Sequence, residues 1–144
     1  MKYSALFVSA VLLSGSVSAA DLLVTESNSK AGVVASLDVV SDGNVSVFDF
    51  FLNTGKINPS GVDCSKCFAD LPKGFTGSFK AHESGVQFVV MADGMTALPA
   101  GVVSLGQISF KTSAKIQPGS LAIERLEMSD VAGNVVQSNS RVAE

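Results

Sequence analysis

The sequence predicts an all-β sandwich of seven to nine short strands, folded as one domain. Three observations carry that prediction. Apolar and polar residues alternate with a period of two through most of the chain after residue 20, the pattern of half-buried strands. Clusters of Gly, Asn, Asp and Pro separate the alternating runs, as turns require. No segment beyond the N-terminus spaces its apolar residues as an amphipathic helix would, so the layers must be sheets.

The first twenty residues read as an address rather than as structure. Lys2 supplies a positive charge, Ala5–Leu13 is an apolar run, and Val17-Ser18-Ala19-Ala20 offers small residues to signal peptidase. That order is the layout of a secretory signal peptide, with cleavage expected after Ala19 or Ala20. The apolar run is much shorter than the roughly 20 residues that span a bilayer. No cysteine stands near Ser16, where a lipoprotein signal would place one. The expected mature protein is periplasmic or secreted, with no membrane span. The formal net charge of the chain is −3, and loss of Lys2 makes it more negative. Mild acidity suits solubility and argues against a nucleic-acid partner, which needs a basic stripe.

The first clear strand is Val33–Val40, where Val33, Ala35, Leu37 and Val39 alternate with Val34, Ser36, Asp38 and Val40. Ser41-Asp42-Gly43-Asn44 supplies a turn. Val45–Asn53 follows, with Phe48, Phe50 and Leu52 on one face and Val47, Asp49 and Phe51 on the other. Both faces are partly apolar, which predicts a central strand whose second face is either covered by neighbouring segments or open as a binding patch.

Thr54–Gly74 reads as a long irregular connection, and such loops are usually functional or pinned. It holds the only cysteines, Cys64 and Cys67, spaced C-S-K-C. An exported chain meets an oxidising compartment, and a small disulfide ring stiffening the loop is the expectation. A redox pair would need a helix N-terminus at Cys64, and zinc would need about four ligands in a chain whose only histidine is His82. A c-type haem site would need His where Phe68 stands. A redox pair, a metal site and free thiols remain the alternatives. Asp63 and Asp70 could meet calcium in this loop, but the closely alternating Asp and Asn of a hard-cation loop are absent.

Phe75–His82 and Val86–Ala92 read as a hairpin closed at Glu83-Ser84-Gly85, with Phe79 and Phe88 on one face. His82 and Glu83 are adjacent and point to opposite sides of a strand, so they do not form an acid–base pair. Leu105, Ile108 and Phe110 change phase across Gly106, which predicts a bulge. Pro118-Gly119 marks a turn. Leu121 and Ile123 then alternate, the phase slips again near Glu124-Arg125, and Leu126 and Met128 follow. Asp130–Asn134 closes a hairpin into Val135-Val136, and Gln137 onward is expected as a polar, frayed tail.

In sum of these features, the stretch VFDFFL, the long loop, the hairpin, LPAG, LGQISF and SLAIERLEMSDVAGNVV resemble a cohesin-type domain over residues 21–136, with 137–144 as the tail. Leu105, Ile108 and Phe110 match its L-x-x-I-x-F strand, and Ser129, Asp130 and Gly133 match its closing hairpin. The resemblance implies a nine-stranded jelly-roll sandwich, related in architecture to some carbohydrate-binding modules. It also implies a non-catalytic module that binds another protein through a sheet face or its loops. Two departures stand out: no dockerin-like segment or repeat lies in the chain, and the Cys64–Cys67 loop is not a family hallmark.

The partner expected is therefore an extracytoplasmic protein, with a polysaccharide as the alternative. Candidate binding positions are Val34, Ser36, Asp38 and Val40 on one strand, or Thr76, Ser78 and Lys80 on another. Sugar faces commonly stack planar aromatics, yet the chain has no Trp and its single Tyr, Tyr3, lies in the leader. No catalytic residue, cofactor or metal is expected, because one histidine and scattered carboxylates build no nucleophile–base set.

Overall fold

A computed structural model describes residues 19–113 and 120–143. Residues 1–18 of the expected leader and the Pro118-Gly119 turn lie outside the described residues. Among those described, nine strands form: β1 (Ala19–Ser29), β2 (Gly32–Ser41), β3 (Val47–Asn53), β4 (Gly61–Asp63), β5 (Phe75–His82), β6 (Gly85–Ala92), β7 (Gly101–Lys111), β8 (Ala122–Ser129) and β9 (Val135–Ala143). Their order is β4-β7-β2-β1-β9-β8-β3-β6-β5. The ladder is thin at one place, between β8 and β9, where only Met128–Val136 and Ser129–Val135 pair. That short corner divides the strands into a five-stranded layer, β4-β7-β2-β1-β9, and a four-stranded layer, β8-β3-β6-β5. The result is an all-β jelly-roll sandwich.

The alternating residues fill the space between the layers. Leu22 and Val24 of β1, Val33, Ala35, Leu37 and Val39 of β2, and Ile108 and Phe110 of β7 are buried from one side. Phe48, Phe50 and Leu52 of β3, Val86, Phe88 and Val90 of β6, and Met128 of β8 are buried from the other. Phe50 lies at the centre, stacked on Phe88 at 4.8 Å and on Phe48 at 6.5 Å between ring centroids. Aromatic pairs at such separations add to the burial of their area.

Both phase slips in the sequence are bulges. The β2–β7 register shifts between Leu37 and Asp38, opposite Leu105 and Gly106. The β3–β8 register shifts between Asp49 and Phe51, opposite Arg125 and Leu126. Arg125 takes a positive φ of 54° there.

The long loop is pinned, and Gly106 is what it is pinned to. The Lys66 carbonyl accepts from Gln107 N–H at 2.9 Å, and Asp70 N–H donates to the Leu105 carbonyl at 3.0 Å. Gly106 has φ 147°, and a Cβ there would lie 2.1 Å from the Lys66 oxygen. The loop thus continues the β7 edge beyond the three residues that β4 covers. On its far side, the Phe68 ring occupies the space a Gly77 side chain would need on β5 and meets Phe88 edge-on at 6.2 Å. The loop closes the open side of the sandwich between its two edge strands.

Two segments differ from expectation. Gln137–Ala143, expected as a frayed tail, belongs to β9, which runs parallel to β1 in continuous register from Ala19–Gln137 to Thr25–Ala143. Backbone pairing holds this polar segment, since the one deeply buried residue of β9, Val136, precedes it and only Val142 within it packs on the core. Ala19 and Ala20, assigned by sequence to the leader, begin β1, and Ala19 N–H donates to Asp42 at 2.7 Å. No helix among the described residues is long and apolar enough to cross a membrane.

Candidate functional site

The outward-facing residues of the four-stranded layer fall into three cross-strand rows. Ser129, Val47, Met91 and Thr76 form the first; Glu127, Asp49, Val89 and Ser78 the second; Glu124, Phe51, Gln87 and Lys80 the third. Alternation places them: Phe48, Phe50 and Leu52 take the core side of β3, so Val47, Asp49 and Phe51 must take the other. Val47, Val89 and Met91 are contiguous on the two middle strands of the face, and Met91 is 52% exposed. Charges flank them, with Asp49, Glu124 and Glu127 toward β8 and Lys80 on β5.

Phe51 settles the second-face question for its strand. It points outward yet is only 4% exposed. The bulge on β8 turns Arg125 so that its guanidinium carbon lies 4.8 Å from the Phe51 ring centroid, within cation–π range. The His82 ring covers another side at 5.9 Å. Phe51, His82, Ser84, Gln87, Glu124 and Arg125 line a shallow hollow of about 290 Å³. Asn53 steadies one wall by donating to Glu124 at 3.3 Å.

The electrostatics of the face are uneven. Burial pushes the Asp49 carboxyl above its usual range; the facing Glu127 carboxylate adds to the rise, and Arg125 opposes it. Like charges directly across a ladder repel, so the face holds a negative pair, partly relieved by Arg125, beside its apolar residues.

The outer side of the five-stranded layer is different in kind. Its middle rows are Thr25–Ser36–Gln107 and Leu23–Asp38–Ser104, largely small and polar. Its exposed apolar pair, Val40 opposite Val102, stands at the end of the sheet. The two sets of candidate binding positions therefore separate onto opposite faces: Val34, Ser36, Asp38 and Val40 on this one, Thr76, Ser78 and Lys80 on the four-stranded one.

Cys64 and Cys67 are placed within the docked loop, with sulfurs at bonding distance, 1.93 Å. Cys67 is fully buried, and its N–H donates to the Cys64 carbonyl at 3.2 Å. Asp63 and Asp70 are not brought together as a cation site. Asp63 accepts from Ser65 N–H at 2.9 Å and Asp70 accepts from the Ser104 hydroxyl at 3.2 Å. The bond from Ser65 N–H holds the Asp63 carboxyl below its usual range. Among the described residues no group of three or more His, Cys, Asp or Glu gathers as a metal set.

Solved structures with the same architecture decide the fold family. A non-cellulosomal cohesin from the archaeon Archaeoglobus fulgidus superposes with a TM-score of 0.60 at 13% identity, over 87% of this chain and 91% of its own. The fold is the cohesin fold. The cohesin of a type I cohesin–dockerin complex from Clostridium thermocellum matches with a TM-score of 0.57 at 14% identity, covering 90% of this chain and 97% of that one. The sixth cohesin of scaffoldin B from Acetivibrio cellulolyticus, solved with a Cel5 dockerin, gives 0.56 at 18% identity, over 87% and 98%. No family model matches the sequence, and no curated protein matches it significantly. At such identities the cohesin likeness is one of fold.

Arg125 is the site residue that residue-by-residue reading missed. Its signal was present as the phase slip at Glu124-Arg125. A slip marks a bulge, but it does not say where the bulged side chain points.

Proposed function

We propose that this chain is an exported, non-catalytic module that binds a protein through the outer face of its four-stranded layer. One observation carries the reading: Val47, Val89 and Met91 form a continuous apolar patch on the two middle strands, bordered by the polar Ser129, Thr76 and Ser78 and the charged Asp49 and Glu127. An apolar middle with a polar rim is the anatomy of a protein interface. Support comes from the cohesin fold, since two of the similar structures are cohesins in complex with dockerins. The signal-peptide layout of residues 1–20 supports export to the periplasm or beyond, where a Cys64–Cys67 disulfide would persist.

A glycan is the weaker occupant. Of the eight phenylalanines beyond the leader, Phe79 alone is exposed, at 48% and on the core side of β5, and Arg125 covers Phe51, the aromatic ring of the outer face. The outer face therefore offers no open aromatic ring on which a sugar could stack.

The experiment is affinity capture from the extracytoplasmic fraction of the source cells, beside binding to a glycan array. Met91→Glu places a charge in the apolar centre without touching the core; Ser36→Glu does the same on the opposite face. The expected result is a protein partner whose binding weakens at least about tenfold, or ~1.4 kcal/mol, with Met91→Glu and is unchanged with Ser36→Glu. Retention by a polysaccharide, or capture indifferent to Met91→Glu, overturns the proposal.

A further inference from the structure

The edge strand β5 is built to accept another strand, and the chain itself supplies a matching one. At the opposite end of the strand order, β4 is three residues long and the Cys64–Cys67 loop covers the rest of that edge. On β5 the Phe68 ring packs over Gly77 on the core side, but among the described residues no strand pairs with its free edge. β5 pairs with β6 through all eight residues without a bulge, and it contains no proline. Six of its eight residues are exposed, including Phe79 at 48%. Natural edge strands are normally shortened, bulged, charged inward or covered. Lys80 is the strand's only Lys, Arg, Asp or Glu, and it points outward.

The direction of the free backbone groups follows from the register. Asp93 N–H donates to the Gly74 carbonyl, so Gly74–Asp93 is a hydrogen-bonded pair. In an antiparallel ladder such pairs alternate, which assigns Thr76, Ser78, Lys80 and His82 to bonds with β6. Phe75, Gly77, Phe79 and Ala81 therefore direct their N–H and C=O groups away from the sheet.

We propose that β5 pairs antiparallel with β5 of a second copy of this chain, about a two-fold axis through Phe79. In that register Phe79 meets Phe79, Gly77 faces Ala81, Ser78 faces Lys80 and Thr76 faces His82. The outward backbone groups then satisfy one another. The half-exposed Phe79 rings meet over the core side, and the two Lys80 side chains stand as diagonal neighbours about the axis and do not directly face each other, the arrangement in which like charges are most destabilising. The axis lies perpendicular to the sheet, so the four-stranded layers become one eight-stranded sheet, with both outer faces on the same side. Such a dimer offers two copies of that face to a repetitive or surface-bound partner and gains by avidity. Pairing along one edge is a small interface, of the kind expected to be concentration-dependent.

Sedimentation equilibrium of the mature protein over a wide concentration series tests this. The expected result is a reversible rise from one to two copies. Phe79→Lys, which sets a charge on the core side of the edge, and Ala81→Pro, which removes an N–H that β6 does not use, should each hold the protein at one copy. Thermal melts of both variants establish that the fold survives. Ser36→Glu, on the other layer, should dimerise as wild type. A wild-type protein that stays monomeric throughout, or a dimer that folded Phe79→Lys and Ala81→Pro both leave intact, overturns the proposal. Neither result depends on whether the outer face binds a partner.

Discussion

Gly106→Ala should destabilise the protein more than adding a methyl at a glycine in open surroundings, because it acts twice. Gly106 holds φ at 147°, a backbone conformation that side-chain-bearing residues rarely adopt, and its missing Cβ is replaced by the Lys66 carbonyl oxygen 2.1 Å from where that carbon would stand. Strain of this kind costs about 1–3 kcal/mol. The collision also separates the loop from β7, losing the bonds from Gln107 N–H to Lys66 and from Asp70 N–H to Leu105, each worth about 0.5–1.5 kcal/mol. The sum is roughly 2–6 kcal/mol, a large part of the ~5–15 kcal/mol that holds a domain together.

Two further glycines separate the two effects. Gly133 has φ 83° but open space around it, and Gly94 has neither a positive φ nor any neighbour within 4 Å. Urea unfolding read by midpoint and slope should rank Gly94→Ala within about 0.5 kcal/mol of wild type. Gly133→Ala should show strain alone, about 1–3 kcal/mol, and Gly106→Ala should be weaker again by at least ~1 kcal/mol. If Gly106→Ala costs no more than Gly133→Ala, the docked loop contributes nothing to the fold and the reasoning fails.

Five other perturbations have definite expected outcomes. Phe50→Ala, removing the central stacked ring, should cost about 3–5 kcal/mol in the same assay, while Phe79→Ala should stay within about 0.5 kcal/mol for the monomer. Replacing both Cys64 and Cys67 by Ala opens a four-residue ring, and chain entropy puts the loss at roughly 2 kcal/mol; no change under oxidising conditions would show that the bond does not brace the loop. Asp49→Asn should stabilise the protein at neutral pH by about 0.2–1 kcal/mol, by removing a partly buried charge and its repulsion from Glu127, less the attraction of Arg125 that is lost with it. The Asp49 carboxyl is raised in the folded state, so wild-type stability should improve as pH falls from above that raised pKa toward the unfolded value, and the advantage of the Asn variant should vanish there. Asp42→Asn should do the reverse. Burial of the Asp42 carboxyl works to raise it, but bonds from Asn44 and Ala19 N–H outweigh that and hold it low; its contribution is present above the unfolded pKa and lost as pH falls through the folded one.

Much of the sandwich was legible because its strands bury one face each. Val33, Ala35, Leu37 and Val39 announce β2, and Phe75–His82 has the bounds read from alternation alone. Gly106 and Glu124-Arg125 give away both bulges by the phase they shift. Where strands are held by something other than apolar alternation, the signal fails. β1 has Leu22 and Val24, but its next inward position is Glu26, buried at 2% exposure, and its start overlaps the leader. β4 is too short to show a period, and β9 is polar because parallel pairing with β1 holds it. The binding face was half legible: β3 advertised two apolar sides, and the rows that set Met91 beside Val47 and Val89 beside Asp49 come from pairings between distant segments. Phe51 read as ambiguous for the same reason, since its cover, Arg125, lies more than seventy residues away in sequence.

The central claim is that the outer face of the four-stranded layer meets a protein. A photo-crosslinking residue introduced at Val89, in the middle of that face, and separately at Ser36, in the middle of the other, addresses it directly in the source cells. Mass spectrometry of the irradiated, purified domain should find a covalent adduct to a distinct protein from position 89 and none from position 36. Adducts from position 36 alone, or none from position 89 while the domain remains folded and exported, would contradict it.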